Sequence, residues 1–149
     1  MESPEARVRA GEEAVKANIA GIAEAVNTMN LEKYGKLITE DFVNMNRDME
    51  GVVTSTVGRR ERLDVLSNFF ESNPYRTNAT MTPREVVVDG DRAFARIDGT
   101  LKLSPKEGVD LQGFTLTVDL YLFYIRDREL GWLSERSIGL EMARTQNAA

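Results

Sequence analysis

Val86-Val87-Val88-Asp89-Gly90-Asp91-Arg92-Ala93-Phe94-Ala95-Arg96-Ile97 is the stretch that decides how this chain folds. A β-branched run enters an Asp-Gly pair, and Ala93, Ala95 and Ile97 then alternate with polar or aromatic neighbours. Asp-Gly between two β-rich runs is a strong short-range hairpin signal, because a tight turn matched to strand twist needs residues that tolerate positive φ. The segment predicts two antiparallel strands with their turn at Gly90.

On the C-terminal side the same texture continues. Ser104-Pro105-Lys106-Glu107-Gly108 reads as a second turn, Leu111 to Ile125 as a long strand, Arg126 to Glu129 as a third turn and Leu130 to Met142 as the last strand. The tail from Arg144 to Ala149 is expected to fray. On the N-terminal side the period changes to that of a helix. Asn73-Pro74 ends a helix over Gly58 to Ser72, with Leu63, Leu66, Phe69 and Phe70 inward. Met49 to Thr56 reads as a loop or irregular hairpin, and Asp41 to Arg47 as a short strand. Asn30 can cap a short helix through Ile38, with Leu31, Tyr34, Leu37 and Ile38 inward. From Pro4 to Met29 the residues Val8, Val15, Ile19, Ile22, Val26 and Met29 form one apolar stripe, and Ser3-Pro4 supplies its start. Segregated helices and strands of this kind define an α+β domain. The expected architecture is three N-terminal helices packed on a curved, mostly antiparallel sheet, a cone with an internal apolar pocket. It forms one domain over residues 1–149, with its core at about 6–143.

Composition narrows the chemistry. At 149 residues, 42% hydrophobic and 29% charged, the chain can bury a core. Its net charge of -5 and lack of a basic stripe argue against nucleic acid; Arg59-Arg60 with Arg62 is the densest basic spot, and Glu61 interrupts it. The chain has no cysteine and no histidine. That excludes disulfides, thiolate nucleophiles, serine–histidine triads and His-based zinc sites. Neither a metal nor a cofactor is expected, and acid–base work falls to Asp, Glu, Tyr or Lys. The polar start lacks the basic and apolar regions of a signal peptide, and no apolar run approaches membrane-spanning length, so the expected location is cytoplasmic, away from membranes.

Four stretches carry a family resemblance. They are Asn27-Thr28-Met29-Asn30-Leu31-Glu32-Lys33-Tyr34, Leu37-Ile38-Thr39-Glu40-Asp41-Phe42-Val43, Val57-Gly58-Arg59 and Gly131-Trp132-Leu133. Their order resembles the SnoaL-like branch of the nuclear transport factor 2-like superfamily, the cystatin-like cone fold, over roughly Ala6 to Ala143. The resemblance implies a small-molecule-binding protein. It implies either a cofactor-free acid–base enzyme of the isomerase, cyclase or epoxide-hydrolase kind acting on a largely apolar substrate, or a non-catalytic ligand-binding or dimerisation module.

Asp119 is the sharpest candidate for a catalytic role. It lies in the apolar run Phe114 to Phe123, where Thr115, Thr117, Asp119, Tyr121 and Phe123 share one face. If that row lines the pocket, desolvation raises the Asp119 pKa, and Arg136 is the expected cation beside it. The plainer alternative is an edge Asp, solvated or paired with an Arg. Asn46, the second catalytic candidate, corresponds by register to the basic Asp of ketosteroid isomerases, and Ile22 to their helix Tyr; both depart from that mechanism. Asn44, Tyr34, Tyr121, Trp132, Ser134 and Arg136 are the candidate substrate-binding residues. Arg96 and Asp98 resemble the Arg-x-Asp pair of limonene-epoxide-hydrolase-like enzymes. Yet Ala93, Ala95, Ile97, Leu101 and Leu103 look like the buried face, which makes the pair a surface one worth under about 1 kcal/mol. The expected partners are a small apolar or weakly polar molecule and, because the late strands carry apolar residues on both faces, a second copy of the chain in a homodimer.

Overall fold

The structure, a computed structural model, describes residues 3–147. Helix α1 runs over Pro4–Asn27 and α2 over Leu31–Gly35. Strands β1 (Ile38–Arg47) and β2 (Val53–Gly58) come next, then α3 (Arg59–Ser72), β3 (Tyr75–Asp89), β4 (Arg92–Pro105), β5 (Phe114–Asp127) and β6 (Gly131–Gln146). The helix starts follow local chemistry. The Ser3 hydroxyl accepts from the Ala6 amide with Pro4 in the first turn, and the Asn30 side chain accepts from the Lys33 amide.

The strands form one mixed sheet in the order β2-β1-β6-β5-β4-β3. All neighbours are antiparallel except β1 and β6, which the intervening chain brings together in parallel. The expected hairpin forms between β3 and β4, and Gly90 takes φ +60° in its turn. Helix α2 is shorter than its apolar pattern suggests, because Ile38 already pairs with Ser134 as strand. The segment expected to be a loop or irregular hairpin forms the hairpin: β2 pairs with β1, with a register shift between Asn46 and Arg47. The last strand does not end at Met142: Arg144, Thr145 and Gln146 pair with Leu116, Thr115 and Phe114. Ala148 and Ala149, the end of the tail expected to fray, lie outside the described residues. No described helix is long and apolar enough to cross a membrane.

The core sits between α1 and the concave face of the sheet. Val15, Ile19 and Ala25 of α1 are fully buried against Ala95, Ile97, Leu122 and Tyr124, with Phe42 closing the side toward β1. Because β-strand side chains alternate, the inward row of β5 is Val118, Leu120, Leu122 and Tyr124, and the outward row is Asp119, Tyr121 and Phe123.

Candidate functional site

The concave face, α1, α2 and α3 enclose a cavity of about 340 Å³. Its wall is largely aliphatic and aromatic: Ile22 and Val26 from α1, Leu66 and Phe69 from α3, Phe42 from β1, Leu120 and Leu122 from β5. Besides Thr80 and Thr100 on β3 and β4, polar groups gather at two places. Tyr34 and Arg62 meet at the helical side, where the Arg62 Nε donates to the Tyr34 hydroxyl at 3.2 Å. Asn46, Ser134 and Ser137 meet at the β1–β6 junction. Among the described residues the cavity wall carries no carboxylate, and Arg62 is its only charged side chain.

The β1–β6 group is ordered by a hydrogen-bond chain. The Asn44 amide donates to Ser137 Oγ at 3.2 Å, and the Asn46 amide donates to Asn44 Oδ1 at 3.0 Å and to Ser55 Oγ at 3.1 Å. A bulge permits this arrangement. Phe123 pairs with Arg136 but Tyr124 pairs with Ser134, so β6 carries one extra residue, Glu135, at that point. Ser134 and Ser137, three apart, therefore both face the cavity.

The structure brings together Tyr34, Asn46 and Ser134 of the sequence candidates, with Asn44 buried immediately behind Asn46. It places the others elsewhere. The bulge reverses the phase of β6, so Arg136 does not follow Ser134 inward; it is exposed beside Phe123 on the outer face. Trp132 packs beside Gly11 of α1 at the far end of the sheet and does not line the cavity. Asp119 and Tyr121 lie on the outer face as well, which corrects the expectation that their row lines the pocket. An apolar cavity favours the apolar row of β5, so Val118, Leu120 and Leu122 turn inward.

On the outer face Asp119 has what it needs. Arg96 donates to both carboxylate oxygens, at 3.3 and 3.2 Å, and the Tyr121 hydroxyl donates at 2.8 Å. Burial alone pushes the Asp119 carboxyl up. The hydrogen bonds from Arg96 and Tyr121 and the Arg96 charge outweigh it, so the pKa lies below the ordinary carboxylate value rather than above it. Arg96 and Asp98 do not pair with each other: Asp98 is bridged by Arg84 at 3.0 Å. A group with a depressed folded pKa stabilises the fold above its unfolded value, about 3.9 for Asp, and loses that contribution as pH falls through the folded value. Asp119→Asn is therefore expected to lower the melting temperature by several degrees at pH 7. The two melting curves should converge on acidification; a constant offset down to pH 2 would show that the carboxylate charge is not what matters.

Three residues outside the sequence candidates shape the site. Asn18, on the buried stripe of α1, donates to the carbonyls of Leu37 and Trp132 and accepts from Tyr124. Arg59 donates to the carbonyls of Gly35, Ile38 and Thr39 and so ties the start of α3 to the α2–β1 turn. Arg62 follows one turn later, four residues before Leu66 on the cavity-facing stripe. That spacing was the available signal for it. No group of three or more Asp and Glu among the described residues could hold a metal ion.

A helix-backed conical sheet around an apolar cavity is the architecture of cystatin-like, nuclear transport factor 2-like proteins. The profile of the SnoaL-like domain matches residues 19–123, and the chain belongs to that family. No curated protein matches its sequence. Solved structures share the fold. A conserved protein from Planctomyces limnophilus is 20% identical, with a TM-score of 0.74 over 89% of this chain and 97% of that one. A hexachlorocyclohexane dehydrochlorinase from Novosphingobium barchaimii is 17% identical, with a TM-score of 0.76 over 95% and 92%. A ketosteroid isomerase-like protein from Erwinia carotovora atroseptica is 17% identical, with a TM-score of 0.66 over 89% and 96%.

Proposed function

We propose that this SnoaL-like protein binds a compact, largely apolar small molecule in its cone cavity, and that it does so by burial and hydrogen bonding rather than by carboxylate-driven proton transfer. One observation carries the reading: the described cavity wall is apolar, with no Asp or Glu and a single cation. General acid–base catalysis needs a group of suitable pKa within hydrogen-bond reach of the transferred proton. Asp119, the carboxylate that sequence favours, is on the other side of the sheet. A cavity of about 340 Å³ lies within the usual range for small-molecule sites, and apolar burial contributes about 25 cal/mol per Å². Native mass spectrometry of the gently purified protein is expected to show a single small organic adduct. Met81→Trp, which fills the cavity from β3, should abolish it. A bare chain in every preparation, together with no thermal shift from any neutral apolar compound, would remove this reading.

The outer face supports a second property, self-association. Phe94 stacks on Tyr121 with ring centroids 6.1 Å apart and meets Phe123 at 5.4 Å. Half-exposed Met45, Ile138 and Leu140 flank them on β1 and β6. Such a patch, built on one sheet face, suits the same patch of a second copy. Sedimentation equilibrium at micromolar concentration should give the mass of two chains; the mass of one would exclude the dimer.

A further inference from the structure

We propose that the ligand carries a carboxylate, bound by Arg62 and Tyr34 with its apolar body directed along the cavity. This inference rests on the cavity being a ligand site. Its basis is an imbalance of donors. Of the three arginines at the start of α3, Arg59 is used up on three backbone carbonyls and Arg60 is exposed. Arg62 alone turns to the cavity. Its Nε donates to the Tyr34 hydroxyl, and its guanidinium carbon lies 5.8 Å from the centre of the Tyr34 ring. Arg62 makes none of the ion pairs found among the described residues, and its two terminal nitrogens donate to none of their acceptors.

Tyr34 has the complementary surplus. It is 4% exposed and lines the cavity, and its oxygen already accepts from Arg62. Its O–H is thus free to donate, and no described residue accepts from it. A buried phenol O–H and a half-buried guanidinium converge on a largely apolar chamber with no carboxylate among its described lining residues. The Arg62 terminal nitrogens are not themselves buried, so they stay open to a ligand in the cavity, and a planar fork matches the two oxygens of a carboxylate. The aliphatic wall from Ile22 to Leu122 suits an alkyl or aryl body, so the ligand class is a small apolar monocarboxylic acid.

Titration calorimetry with octanoate, octanamide and octanol tests this, because the three share a body and differ only in the head. Octanoate should bind at least about tenfold more tightly than octanamide. Arg62→Met should erase that difference while retaining octanol binding, Arg62→Lys should restore part of it, and Tyr34→Phe should weaken octanoate most. Arg60→Met, on the exposed neighbour, should change nothing. Equal affinity for the three probes, or an acid preference that survives Arg62→Met, overturns the carboxylate proposal and leaves the ligand cavity standing. Failure of all three to bind overturns the carboxylate proposal, and the cavity reading then stands or falls on the native-mass and thermal-shift results. A merely structural Arg62 would lower stability without separating acid from amide.

Discussion

Phe42→Ala is expected to lower the unfolding free energy by about 3–5 kcal/mol, the range for removing a buried phenyl ring. Phe42 is 1% exposed on β1, belongs to the main apolar cluster and forms part of the cavity wall. The cost has two parts: the lost transfer of the ring from water, and the space it leaves. Close-packed surroundings normally relax into part of such a space. Here the new void would open directly onto the existing cavity, whose walls already stand apart, so little relaxation is available. The same change should enlarge the ligand space and let a bulkier apolar compound bind. Urea unfolding at an unchanged slope measures the first effect, and a loss below about 1 kcal/mol would mean that β1 and α3 close over the gap.

Local chemistry was legible and tertiary phase was not. Ser3-Pro4, Asn30 and Asp89-Gly90 act within a few residues, and each does in the structure what its type dictates. The face of Asp119 is different. Both rows of β5 carry large apolar side chains, Val118, Leu120 and Leu122 on one and Tyr121 and Phe123 on the other. Alternation alone cannot say which row the helices cover; that is set by pairing with β4 and β6. The bulge at Glu135 is equally a property of the pair Phe123–Tyr124 on the neighbouring strand, and it separates Ser134 from Arg136 although their spacing would keep them together. The polar stretch from Tyr75 to Pro83 extends the Val86 run into a long strand because β3 is the sheet edge, where alternate residues meet water and Pro83 sits at a register shift.

Function followed the same division. Absence of His and Cys leaves Asp, Glu, Tyr and Lys as the groups available for acid–base work. The carboxylate that an acid–base reading needs stands in sequence directly between two apolar residues, Val118 and Leu120. Its neighbours in space are Arg96 and Tyr121, which hold it ionised outside the cavity. Arg62 reads in sequence as one member of a surface basic cluster. On the helix it belongs to the stripe of Leu66 and Phe69, and that stripe faces the cavity. In this chain the charged side chain of the cavity wall is a cation on α3, and the Asp119 carboxylate lies on the outer face.

Asn18→Leu is expected to cost about 2–4 kcal/mol although it replaces a polar residue on an apolar stripe by an apolar one of similar size. Asn18 is 5% exposed among Val15, Ile19 and Ile22. Its amide donates to Leu37 O at 3.1 Å and to Trp132 O at 3.0 Å, and its oxygen accepts from the Tyr124 hydroxyl at 3.0 Å. One side chain thereby joins α1, the α2–β1 turn, β5 and β6. Leucine gains little transfer energy there and orphans its partners. Leu37 O keeps the Ser134 amide as a donor at 3.0 Å, so the penalty falls on Trp132 O and Tyr124. Tyr124 is fully buried, and burial pushes its ionisation far up, so it remains a neutral O–H that must find an acceptor. Each buried group left unmet costs about 1–3 kcal/mol. The double-mutant cycle isolates the pair: Tyr124→Phe should cost about 1–2 kcal/mol alone but stabilise the Asn18→Leu protein, because it removes the orphaned hydroxyl. Strictly additive losses would mean that the Asn18–Tyr124 bond contributes nothing and that another contact closes the cone.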